Sequence, residues 1–380
     1  MAYGQLAVDK LTSSTGAAFS PASSVMRNRI INGAMVIDQR NAGASTTPSA
    51  TATNIYTLDR WVYFQSVASK FAVQQNAGSV TSPVGFSNYL GLTSQSAYSI
   101  GTNDYFGVQQ TIEGFNTSDL GWGTANAKTV TLSFQVYSSL TGTFGGSIQN
   151  ATQGRSYPFT YTVSSANTWT SISVTIAGDT SGTWVGSSSA GSIRVNFGLG
   201  MGSSFSGTAS SWAGSNYLSA TGAVSVVGTS GATFYITGVQ LEVGSVASSF
   251  EYRQYGQELA LCQRYYQYIS AATYANPFIM TTRAATTKFV GFQLPVALRA
   301  SPTIATNSTG TVRVIYSGTY VDSTTGSVAV GGVTPTATGY QDSAYVQLNY
   351  TGAMSTVGDT ANTLYAFMIN QGQLTFSSEL

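Results

Sequence analysis

Few side chains in this 380-residue chain are suited to catalysis. There is no histidine, which removes Ser–His and Cys–His nucleophile activation, histidine metal ligation and the commonest general base together. The single cysteine, Cys262, excludes an internal disulfide framework. Glycoside hydrolysis needs only two carboxylates, and the 14 acidic residues allow pairs such as Asp104 with Glu113 or Asp119 with Asp179. No local spacing favours any pair, so the expected role of each is a surface turn or cap. No glycine-rich loop ends in Lys-Ser or Lys-Thr, and Gly198-Leu199-Gly200-Met201-Gly202 does not match a nucleotide fingerprint. The chain therefore reads as a non-enzyme, with no cofactor and no metal site marked by spacing. What it holds in quantity is aromatic surface, 23 Tyr, 18 Phe and 5 Trp, so any site is expected to be built from rings and neutral hydrogen-bonding groups.

Charge narrows the partners. Charged residues make up 8% of the chain, its net charge is +1, and its 15 basic residues are scattered singly. Nucleic-acid binding needs a basic stripe, and none occurs. No apolar run approaches the roughly 20 residues of a membrane helix, so membrane insertion is not expected. MAYGQLAVDK lacks the pattern of a signal peptide, which points to synthesis in a cytoplasm.

The elements that must carry the aromatic residues are strands. Residues 1–30 are rich in Ala, Ser and Thr and too sparse in apolar positions for a core. They read as an extended arm that orders against a partner. Residues 31–253 read as successive strands. RNRIINGAMVIDQR alternates through Met35 and Ile37 after a turn-prone Asn32-Gly33. In KTVTLSFQVYSS, Val130, Leu132, Phe134 and Val136 share one face. TWTSISVTIAG and SIRVNFGLG repeat the pattern, with Gly, Asn, Asp and Ser turns between. Half-buried alternation predicts an antiparallel β-sandwich, with a jelly roll favoured. Residues 201–231 are a long Ser/Gly-rich excursion, expected to be laid over the sandwich and anchored by Trp212 and Tyr217. In TFYITGVQLEV the alternation changes phase at Thr237-Gly238, which predicts a β-bulge.

Residues 254–270 hold the one helical signal. Tyr255, Leu259, Cys262, Tyr266 and Ile269 recur at intervals of 4, 3, 4 and 3, a coiled-coil seam. A helix of this length is marginal alone in water, so it must pack on its own domains or on copies of itself. Residues 271–380 read as a small C-terminal β-sandwich, with strands in TKFVGFQLP, TVRVIYSG, SVAVGG, SAYVQLNYTG and TLYAFMIN. The fold class is thus all-β with one short central helix.

The string ITGVQLEVGSVASSFEYRQYGQELALCQRYYQ resembles a signature of bacteriophage tail-fibre and related virion-appendage proteins. RIINGAMVIDQRN, LDRW, GWGTANAKTVTLSFQVYS and TWTSISVTIAGDTSGTW resemble the jelly roll preceding it in that family, a domain similar to carbohydrate-binding modules. FQLPVALRASPTI resembles the opening strand of the family's C-terminal domain. The resemblance implies a homotrimeric virion appendage, made in the host cytoplasm, whose receptor is a host cell-surface glycan. Its arm would join other virion proteins through Tyr3, Leu6, Val8 and Leu11. Its helix would hold three copies together through the Tyr255-to-Ile269 seam, and residues 271–380 would bind the receptor. A capsid head fibre or decoration protein, and a polysaccharide-depolymerising tailspike, remain open as alternatives. Glycan contact by a sandwich relies on aromatic faces at loops. Trp212 and Tyr217 are the candidates in the sandwich, and Tyr274, Tyr320 and Tyr340 in the C-terminal domain. Trp61 and Trp169 are expected in the core, while Trp122 and Trp184 sit in turns that suit either role. Jelly rolls of the family often hold a structural calcium, to which Asp179 and nearby backbone carbonyls could contribute, although nothing in the spacing singles Asp179 out.

Overall fold

The computed structural model describes residues 27–78 and 80–271, strands within 11–19 and 278–377, and residues 294–300, 302 and 378–380. Side chains are described for 27–51, 55–78, 80–268, 294–300, 302–303 and 375–380. The chain divides into two compact units, one ending at Glu258 and including Leu380, the other running from Leu259 to Glu379.

Near the N-terminus, β1 (Leu11–Thr12) and β2 (Ala18–Phe19) pair antiparallel. The first unit is then a β-sandwich. Its strands are β3 (Ala52–Leu58), β4 (Trp61–Gln65), β5 (Phe71–Gln75), β6 (Leu90–Ser94), β7 (Tyr105–Glu113), β8 (Val130–Ser138) and β9 (Gly142–Asn150). They continue with β10 (Ser156–Val163), β11 (Thr170–Ile176), β12 (Gly191–Met201), the short β13 (Ser206–Gly207) and β14 (Ser219–Ala220), and β15 (Thr233–Val243). One sheet has the order β10-β9-β12-β7-β4-β3 and the other β11-β8-β15-β6-β5, both antiparallel throughout. The chain passes back and forth between the sheets, the alternation of a jelly roll.

Period-2 side chains explain the core. Trp61, Tyr63, Phe106, Val108, Val195 and Phe197 from one sheet meet Phe71, Leu92, Leu132, Phe134, Phe234 and Leu241 from the other. Phe134 stands edge-on to Phe197, ring centroids 5.0 Å apart. The phase change in β15 is the expected bulge, since the register with β8 shifts between Thr237 and Gln240 and Gly238 adopts φ +63°. A Cβ on Gly238 would lie 2.6 Å from the Phe86 ring.

Two expectations are corrected. Residues 27–51 contain no strand. Asn32 and Met35 both take positive φ, and the Asn32 side chain holds the turn by donating to Ile37 O and Asp59 O and accepting from Ile37 N. Ile30, Ile31, Met35 and Ile37 are buried there, so their spacing reflects an irregular segment packed into the sandwich. Arg29 N donates to Leu241 O at 2.9 Å, so the arm's expected end at residue 30 lies inside the domain.

The helix is also shorter than the seam implied. α1 runs Tyr255–Gln263, and Tyr266 and Ile269 belong to a strand, β16 (Tyr266–Ala271). A Tyr- and Ile-rich segment suits a strand, and β25 (Gly372–Ser377) supplies the partner, pairing Ser377 with Tyr266 and Leu374 with Ile269. Ser378 Oγ donates to Arg264 O and Arg299 N to the same carbonyl, so the end of the helical turn is capped from distant sequence.

The second unit continues with β17 (Phe278–Ala284), β18 (Thr287–Gln293), β19 (Thr303–Thr306), β20 (Thr311–Tyr316), β21 (Thr319–Asp322), β22 (Val328–Gly331), β23 (Ser343–Tyr350) and β24 (Tyr365–Asn370). They form a three-stranded sheet, β16-β25-β19, and a seven-stranded sheet, β21-β20-β24-β17-β18-β23-β22. All five segments expected to be strands are strands.

Candidate functional site

A strand buried on one side sends alternate residues outward. On the six-stranded sheet those outward residues are Phe64 of β4, Tyr105 and Gln109 of β7, and Arg194 of β12. The register places them together: Gln109 pairs with Val62 and Asn196, and Arg194 pairs with Thr111. The 201–231 excursion lies over this face, as expected. Gln149 Nε2 donates to Asn216 Oδ1 at 2.8 Å, and Ser156 Oγ to Ser215 O at 2.7 Å. Close approach requires glycine below, because a Cβ on Gly198 would come within 2.6 Å of Ser219 Oγ.

The excursion leaves part of the sheet uncovered. There a cavity of about 300 Å³ is lined by Phe64, Tyr105, Phe205 and Leu218 and by Gln109, Gln153, Arg194 and Asn216. Tyr105 is the central ring, 6.2 Å from Phe64 and 5.3 Å from Phe205, the latter edge-on. Ser66 Oγ accepts from Tyr105 N and donates to Asp104 Oδ1 at 2.9 Å, which fixes the start of β7. Asp104 is held below its ordinary pKa. Burial acts to raise it, and hydrogen bonds from Gly101 N, Ser66 and Tyr98 outweigh that. Gln109 is buried, yet its amide has no hydrogen-bond partner among the described residues. Rings beside the unpartnered Gln109 amide and Arg194 guanidinium match a ligand with apolar faces edged by hydroxyls.

A second cavity, about 460 Å³, lies on the outer face of the five-stranded sheet, where Ser133, Gln135, Ser171 and Ser173 lie below Phe86, Phe250 and Tyr252. Gln135 and Ser171 hydrogen-bond to each other at 2.8 Å, so its polar groups are partly satisfied within the protein.

The residues expected from sequence fall elsewhere. Trp212 is half-buried in a ring cluster, 5.5 Å from Trp122, 5.6 Å from Trp184 and 5.3 Å from Tyr157, and its Nε1 donates to Ala177 O. Tyr217 is half-buried with its ring over Gly207, where a Cβ would lie 2.2 Å away. Neither lines the pocket, although both belong to the excursion that walls it. Trp61 is in the core, and Trp169 is half-buried against Tyr89 and Tyr137 on the outer side of the other sheet. Tyr320 lies in β21 and Leu11 in β1, with side chains outside those described, and Tyr3, Leu6, Val8, Tyr274 and Tyr340 lie outside the described residues. In α1, Tyr255 is exposed, Leu259 half-buried and Cys262 buried, and Tyr266 is buried in β16.

Of the four carboxylates considered for catalysis, Asp104, Asp119 and Asp179 are engaged by groups of the protein. Asp119 pairs with Arg29 at 2.8 Å. Asp179 is buried and receives both Nε and Nη2 of Arg155 at 2.7 Å, so both of its oxygens are engaged within the protein. No cluster of three potential metal ligands occurs among the described residues. Sequence reasoning missed Phe64, Tyr105, Gln109, Arg194 and Phe205. The available signal was alternation itself, since Gln109 and Arg194 occupy the polar phase of strands whose other phase is core.

No protein-family model matches the chain, and no curated protein matches it. Among solved structures it is similar to the enzymatically active domain of bacteriophage CBA120 tailspike protein 4, at 15% identity over 57% of this chain and 22% of that one, TM-score 0.31. It is also similar to a family 11 carbohydrate-binding module of a Clostridium thermocellum cellulosomal cellulase, at 12% identity over 52% of this chain and 96% of that one, TM-score 0.27. A CBM4 structure is similar at 15% identity over 56% of this chain and 98% of that one, TM-score 0.28. The chain thus spans about a fifth of the tailspike chain and nearly all of the two modules.

Proposed function

We propose that the chain is a phage virion appendage, a tail fibre or similar structure, that adheres to a saccharide of the bacterial surface without cleaving it. The observation that carries this reading is the pocket on the six-stranded sheet, where three rings stand beside the Gln109 amide and the Arg194 guanidinium, neither of which has a hydrogen-bond partner among the described residues. Adhesion in place of hydrolysis is favoured because none of the lining residues is a carboxylate, whereas glycoside cleavage takes a pair of them. The virion assignment rests on the resemblance carried by residues 236–267. Homotrimerisation and attachment through the segment ahead of residue 27 belong to the same proposal. Three copies of a weak site would multiply into firm attachment.

The test is binding of the full chain to purified bacterial surface polysaccharides, measured by biolayer interferometry, with Phe205→Ala as the control. Saturable binding weakened by that variant is expected. Polysaccharide binding indifferent to it would move the site away from this pocket, and steady release of reducing ends would replace adhesion by depolymerisation.

A further inference from the structure

Most arginines whose contacts are described are neutralised or engaged. Arg29 has Asp119, Arg155 has Asp179, and Arg253 has Glu258 at 3.3 Å. Arg194 has no ion pair and no hydrogen bond among the described residues, and its Nε is buried without a partner. It is half-buried in the wall of the pocket, beside Gln109 and Asn216, and it is the one charged residue of the lining. Burial pulls its pKa below the ordinary arginine value, with Tyr56 acting in the opposite direction. It stays protonated at any physiological pH. A half-buried cation without a counter-charge is unfavourable until an anion reaches it. The planar guanidinium offers paired N–H donors that match the two oxygens of a carboxylate or phosphate.

We propose that the pocket selects an acidic saccharide, with Arg194 pairing the carboxylate or phosphate substituent while Phe64, Tyr105 and Phe205 pack on the sugar ring. This rests on the adhesion reading above and adds a ligand class to it. Gln109 supplies a donor and an acceptor for hydroxyls, Asn216 and Gln153 bond to each other at 3.2 Å in the wall, and the lack of any lining carboxylate leaves the anion unopposed.

The test uses the full chain against polygalacturonate, alginate, polysialate and poly(glycerol phosphate), with dextran and a mixed-linked glucan as neutral probes. Binding to at least one acidic polymer is expected, with Arg194→Gln weakening it about ten- to a hundredfold. Reducing the carboxyl groups of a bound uronate to alcohols should weaken the unaltered protein's binding comparably, so the inference does not depend on the variant alone. Preference for the glycerol phosphate polymer would assign the substituent as phosphate, and preference for a uronate or sialate as carboxylate. Binding confined to neutral polymers, or acidic binding that Arg194→Gln retains and Phe205→Ala loses, overturns the acidic selection and leaves adhesion standing. Binding to none of the polymers, or acidic binding that both variants retain, removes the pocket reading as well.

Discussion

Phe205 and Trp212 lie seven residues apart in the same excursion, yet packing gives them opposite roles. Phe205 forms pocket wall, and its ring touches Tyr105 from the rim. Its replacement by alanine should weaken saccharide binding by about 1–2 kcal/mol, the usual worth of a stacking ring, and leave the denaturation midpoint nearly unchanged. Trp212 contacts three rings and a backbone carbonyl. Trp212→Ala should cost about 2–4 kcal/mol of stability, read as a lowered urea midpoint, with affinity preserved in the fraction that remains folded. If the two variants exchanged these phenotypes, the assignment of wall and support would be reversed.

Among the elements, a bulge in the five-stranded sheet and the turn that starts β7 each depend on one residue. Gly238 takes φ +63° with the Phe86 ring against it, so Gly238→Ala meets both backbone strain and a clash. A loss of about 1–3 kcal/mol is expected, seen as a lower midpoint with an unchanged slope of unfolding against denaturant. The turn before β7 depends on Asp104, whose pKa in the folded protein lies below its ordinary value near 3.8. A depressed carboxyl contributes stability above its unfolded pKa, and that contribution disappears as pH falls through the folded value. Asp104→Asn should therefore lower the thermal midpoint at pH 7, and the gap from the unaltered protein should close below about pH 4. A gap that stayed constant down to pH 2 would mean that the charge on Asp104 does not hold the turn.

Association concerns the molecule as a whole. Tyr252 and Tyr255 are exposed at 58% and 65% just ahead of and at the start of α1, and Leu259 is half-buried. In a homotrimer these residues are expected to lose their exposure. Light scattering should then give three times the 39.7 kDa chain mass, and Leu259→Glu should reduce it to one. A monomer from the unaltered protein would remove the trimer from the proposal. Cys262 and Tyr266 are already buried within one chain, so the seam available to other copies is narrower than the five residues spaced 4, 3, 4 and 3 suggested.

Alternation was enough to recover β8, β11, β12 and five strands of the second unit (β18, β20, β22, β23 and β24), and the broken alternation at Thr237-Gly238 was enough to locate the bulge, because period 2 is a local property of an extended chain. The chain's lack of histidine likewise narrows its chemistry from sequence alone. The end of α1 was not legible: Tyr266 and Ile269 fit a heptad as well as a strand, and β25, more than 100 residues later, is what draws them into a sheet. The pocket was hidden for the same reason. Phe64, Gln109 and Arg194 come from three strands brought side by side by pairing, and Phe205 from an excursion folded back over them. Exposed loop tryptophans are the usual guide to a sugar site, but whether a ring such as Trp212 faces water depends on what packs beside it, and its neighbours Trp122 and Tyr157 are separated from it by tens of residues.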